Sequence, residues 1–163
     1  MRAAIAAHLG SRQVARVLYG SIIGLALVVA LEAHPPSSAA ITASLLATAI
    51  AVGLAELYSE YVGTETRTHA RVDRRQLGVI FDEVLAVAAG IAFPAIFFVL
   101  AALGVLDRDA AFTIAKWSGL GLITAYGFVA ARVTGAGFVH SIYRASIAGV
   151  IAAFLIVVKS LLH

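Results

Sequence analysis

No cysteine occurs in the 163 residues, and there are only three prolines, one methionine and one tryptophan. The missing thiols exclude disulfides, thiolate metal sites, a cysteine nucleophile and palmitoylation. Any metal would have to be held by oxygen or imidazole. Charge is scarce too, at 13% of residues against 61% hydrophobic ones. With a mean hydropathy of +0.97, so apolar a chain has more nonpolar surface than one water-soluble core can bury, so the bilayer is its natural solvent. The net charge of +3 does not indicate nucleic acid, because the basic residues stand between hydrophobic runs and form no patch interleaved with aromatics.

What is present is a series of apolar runs. A transmembrane helix needs about 20 mostly apolar residues, and the pattern predicts an all-α, polytopic single domain of five spans: Arg16 to Leu31, Ala39 to Val62, Gln76 to Gly104, Ala110 to Val133 and Gly137 to Leu161. Arg2, Arg12 and Arg16 ahead of Val17 to Leu31 have the outline of a signal peptide. No small-x-small cleavage site follows, so a retained helix is expected. Pro35 and Pro36 end the first span, Ser38 is a ready N-cap for the second, and Pro94 predicts a kink in the third.

Five spans put the termini on opposite sides. One side then receives Arg2, Arg12, Arg16, Arg67, Arg71, Arg74, Arg75, Arg132 and Arg144, and the other only Arg108, Lys116 and Lys159. By the positive-inside rule the richer side is cytoplasmic, with the N-terminus in and the C-terminus out. The expected location is the plasma (inner) membrane of a prokaryote. Lys116 is expected to snorkel outward beside an interfacial Trp117, with Glu32 and His34 solvated at the outer mouth.

Small residues recur every fourth position: Gly20 and Gly24; Ala43, Ala47, Ala51, Ala55, Ser59 and Gly63; Ser141, Ala145, Gly149 and Ala153. Such stripes let helices approach closely in lipid. They fit packing within the chain and also a homo-oligomer, a dimer or higher.

The chemistry gathers at the cytoplasmic end. Ser44, Thr48, Val52, Glu56 and Glu60 form one stripe on the second span that ends in two acids, and Asp82 and Glu83 lie about two turns into the third. Arg16, Arg132, His140 and Arg144 belong at the same depth. Charges inside a bilayer are costly, so these groups should find one another or water. One reading is a structural salt-bridge network. Another is an ion site, with Glu56 and Glu60 as tentative metal ligands and Asp82, Glu83 and His69 or His140 as further donors, since hard divalent cations take several oxygens and imidazole with carboxylate suits transition metals. A divalent metal cation is the one candidate ligand, and no other cofactor is implied. A third reading is a proton-coupled switch, because carboxylates one turn apart repel and so favour taking up a proton. The basic connector from Gly63 to Arg75 suits a cytoplasmic partner or anionic headgroups. Enzymatic chemistry is not expected: Ser141 and His140 are adjacent and cannot meet on a helix, and Gly119 and Gly121 lie within an apolar helix with no phosphate-binding loop.

Two segments resemble a known family. Glu56-Leu57-Tyr58-Ser59 resembles the segment closing the second helix of vacuolar iron transporter family proteins, and Leu18-Tyr19-Gly20-Ser21-Ile22-Ile23-Gly24 resembles the opening of their first helix. The resemblance implies five helices, a cytoplasmic N-terminus and a dimer, and it carries Glu56 over from the family's metal ligands. Ile23 and Val52 stand where the family has an aspartate and a methionine, and the family's acidic cytoplasmic extension is replaced by the short basic connector. What the resemblance implies is a related scaffold more than iron transport. The charged cluster itself makes a small membrane transporter or channel-like protein the leading expectation, with a non-transporting scaffold or partner-docking protein as the alternative.

Overall fold

The computed structural model describes residues 12–133 and, beyond them, residues 137–139, 142, 143, 146, 147, 149, 150 and 154. The described residues contain no strand. Five helices run α1 Arg12–Glu32, α2 Ser38–Thr68, α3 Arg74–Ala92, α4 Ala95–Ala102 and α5 Arg108–Val133. The expected fifth span, with His140 and Arg144, falls largely outside the described residues.

α1, from Val14, and α2 are long and apolar enough to cross a membrane, and α3 with α4 becomes a third such span if the bent pair is counted as one. The bend is 46° and falls at Phe93-Pro94, where the proline ring removes a backbone donor and crowds the preceding turn. The predicted kink in the third span is therefore a break between two helices.

α2 runs past the expected end at Val62. Its 31 residues extend about 46 Å at the α-helical rise, well beyond a hydrocarbon core of about 30 Å. It stops at His69, an exposed C-cap in the left-handed region with φ 51°. The connector is thus shorter than Gly63 to Arg75. α3 then starts on a capping box, in which the Asp73 side chain accepts from the Gln76 backbone N–H and the Gln76 side chain accepts from the Asp73 N–H.

The tightest packing is between α1 and α3. A β-carbon on Gly20 would collide with the Val87 carbonyl oxygen, one on Gly24 would lie 2.9 Å from the Ile91 carbonyl oxygen, and one on Gly90 would lie 2.6 Å from that of Val17. The α3 surface around Gly90 is therefore filled by α1. At the other end of the molecule Val28, Ile41, Leu45, Phe98 and Phe112 join α1, α2, α4 and α5 in one core cluster, with the Phe98 and Phe112 rings edge to face at 4.8 Å.

On α2 the stripe of small residues takes no part in this packing. Ile41, Leu45, Ala49 and Gly53 are buried, whereas Ala43, Ala47, Ala51 and Ala55 are exposed beside Leu46, Ile50 and Leu54. Thr48 of the polar stripe closes its hydroxyl onto the Ser44 carbonyl oxygen at 2.8 Å. Its hydroxyl donor is thus satisfied within its own helix.

Candidate functional site

The helix ends sort into two groups, each marked by ion pairs. At the end holding the start of α1, Arg16 is the hub. Its Nη1 donates to Glu56 Oε1 at 2.7 Å, and its Nη2 donates to Glu60 Oε1 and, at 3.2 Å, to Glu83 Oε2. One guanidinium thus joins α1, α2 and α3. Glu56 and Glu60 reach it because they lie one turn apart on α2. Glu83 reaches it because Gly20 and Gly90 let α1 and α3 close up, bringing the third carboxylate to the same group.

Guanidinium suits this role. It is planar, carries five N–H donors and stays charged, so it can serve several carboxylates at once where a lysine offers a point charge. The cluster is partly shielded: Arg16 is 22% exposed, Glu56 19%, Glu60 21% and Glu83 7%. Arg67 approaches from the α2 terminus, with Nη2 3.6 Å from Glu60 Oε2. Three carboxylates thus meet the Arg16 guanidinium, and Arg67 stands as a looser cation beside Glu60.

Beside the cluster a cleft of about 290 Å³ lies between α2 and α3, lined by Glu60, Thr64, Arg67, Arg75, Gln76, Val79, Ile80 and Glu83. Glu60 and Glu83 belong to both the cluster and the cleft. Arg67 and Arg75, both exposed, supply charge of the opposite sign.

Of the residues expected here, Arg16, Glu56, Glu60 and Glu83 come together. Asp82 does not: it is exposed, one residue round the helix from buried Glu83, and Arg16 is held by the other three acids. Arg132 lies exposed in the last turn of α5, His69 caps α2, and His140 and Arg144 lie outside the described residues. No group of three His, Asp or Glu arranged to hold a metal ion occurs among the described residues. One oxygen of each glutamate, including the tentative metal ligands Glu56 and Glu60, is bonded to the guanidinium.

At the opposite end Lys116 Nζ donates to both carboxylate oxygens of Glu32, at 2.6 and 2.8 Å. This replaces the expectation of a snorkelling lysine and a solvated glutamate: the two opposite charges satisfy one another through charge-assisted hydrogen bonds. Arg108 Nη1 donates to the Pro36 carbonyl oxygen at 3.3 Å and ties α5 to the turn between α1 and α2. Sequence spacing gave no sign of either contact.

No family model, curated protein or solved structure matches the chain.

Proposed function

We propose that the chain is an integral membrane transporter or channel-like protein of five spans, N-terminus cytoplasmic and C-terminus outside, that moves protons or a cation past the Arg16 cluster. The observation that supports this is the convergence of three glutamates from two helices on the Arg16 guanidinium beside an open cleft. In that setting Arg16 acts as a tethered cation. A proton or a mobile cation arriving from the cleft competes with it for the carboxylates, and the arginine re-engages when the visitor leaves. The antiparallel sorting of the helix ends into an arginine-rich group and the Glu32-Lys116 group supports the five-span orientation. The outward small-residue face of α2 supports a homo-oligomer in the bilayer.

The test is flux into proteoliposomes, with a pH-sensitive dye for protons and a fluorescent chelator for divalent metal, comparing wild type with Glu56→Gln and Glu60→Gln. Loss of flux in the variants is expected. Equal flux in all three removes the assignment.

A second reading is a non-transporting scaffold. It is favoured by one observation, that all three glutamates are hydrogen bonded to Arg16 and so staple three helices. Under it the same substitutions lower the melting temperature, and the wild type carries no flux. The likeness to vacuolar iron transporters stays with the two sequence segments around Gly20 and Glu56 and bears on the scaffold.

A further inference from the structure

The cleft between α2 and α3 is divided by charge. Its inner wall carries Glu60 and Glu83, and its outer part carries Arg67 and Arg75 with the amide of Gln76. Within the described lining Glu60 and Glu83 bring negative charge and Arg67 and Arg75 positive charge, so the cleft presents both signs at separate places. A site of that kind favours a ligand with both signs over an ion of either sign.

The individual groups narrow the chemistry. Glu60 gives one oxygen to Arg16, while its Oε2 faces Arg67 at 3.6 Å, which is longer than a hydrogen bond. Arg67 is 64% exposed and reaches back from about two turns further along α2. A primary ammonium entering the cleft can hydrogen bond to Glu60 Oε2 and release Arg67. Arg67, Arg75 and Gln76 then present several donors to an anionic group, and arginine forks fit the oxygens of a phosphate. The described lining includes no aromatic ring. A quaternary ammonium has no N–H to give and would find no cage.

We infer that this cleft binds a phosphoethanolamine group, with its ammonium on Glu60 beside Glu83 and its phosphate between Arg67 and Arg75. The group comes either as a free solute or as the headgroup of a phospholipid standing at the cytoplasmic leaflet. This names the ligand class of the site proposed above and rests on that reading, but it is tested by binding at equilibrium, where no transport is required.

The full chain in phosphatidylglycerol nanodiscs is titrated calorimetrically with O-phosphoethanolamine, ethanolamine, inorganic phosphate and phosphocholine. O-phosphoethanolamine is expected to bind about tenfold or more tighter than either half or phosphocholine. Glu60→Gln and Arg75→Gln should each remove that advantage. Arg75 stands outside the Arg16 network, so Arg75→Gln should keep the wild-type melting temperature and report on the cleft even if Glu60→Gln unfolds. Adding phosphatidylethanolamine to the nanodiscs separates the sources: competition that weakens binding identifies the lipid headgroup, and unchanged binding identifies the free solute. Equal affinity for the whole molecule and its halves, or full affinity in folded Arg75→Gln, overturns the inference. Absent binding with Glu60-dependent proton flux would remove this inference alone. Binding without flux would remove transport and leave the ligand assignment standing.

Discussion

Gly20 on α1 sits directly against the Val87 carbonyl of α3, with no space for even one added carbon. Because the obstacle is backbone, neither side can yield by a rotamer change. Gly20→Ala and Gly90→Ala are therefore expected to destabilise the protein by about 1–3 kcal/mol or more, seen as a lower melting temperature in detergent. Gly121→Ala, with open space around its α-carbon, is the matched control and should melt with the wild type.

The same close approach holds Glu83 in reach of Arg16. Removing the guanidinium leaves three carboxylates facing one another, so Arg16→Met should cost several kcal/mol at neutral pH, somewhat below the roughly 3–5 kcal/mol of a fully buried pair because this cluster is partly exposed. Thermal melts of wild type and Arg16→Met in the same detergent check the size of the loss.

Asp82 and Glu83 are chemically alike and adjacent, yet only Glu83 is buried and bound to Arg16. Glu83→Gln should lower the melting temperature and alter proton flux. Asp82→Asn should leave both at wild-type values.

At the opposite end Glu32 and Lys116 are half-exposed, which limits what their pairing is worth. A double-mutant cycle with Glu32→Gln and Lys116→Met should give a coupling of about 0.5–1 kcal/mol, and salt should diminish it.

The arrangement was legible in the sequence where one residue acts alone on the backbone or where charge is sorted by helix end. Pro94 announced the break, and the apolar runs announced the helices. The alternation of ends brought Arg16, Glu56, Glu60 and Glu83 to one level. Rotation about a helix was harder to read: buried Glu83 directly follows exposed Asp82, and both neighbouring faces of α3 carry apolar residues that look alike in one dimension. The stripe from Ala43 to Ala55 misled for a related reason. Small residues permit close packing without saying which surface uses it, and α2 buries the row that includes Leu45 and Gly53 instead. The Glu32-Lys116 pair joins residues 84 positions apart, beyond any local pattern.

The meshing of α1 with α3 also sets how this molecule can move. Two helices locked carbonyl against glycine translate as one block, and α1 makes few direct contacts with α2. What holds α2 to that block at the arginine-rich end is the grip of Arg16 on Glu56 and Glu60, and below it the packing of α2 on α3, where Ala49 clusters with Val87 and Ile91 and Gly53 meets the tip of Val84 at 3.5 Å. Widening the cleft therefore requires this apolar seam to part as well as the ion pairs, while the Ile41 and Leu45 core anchors the far end of the long helix.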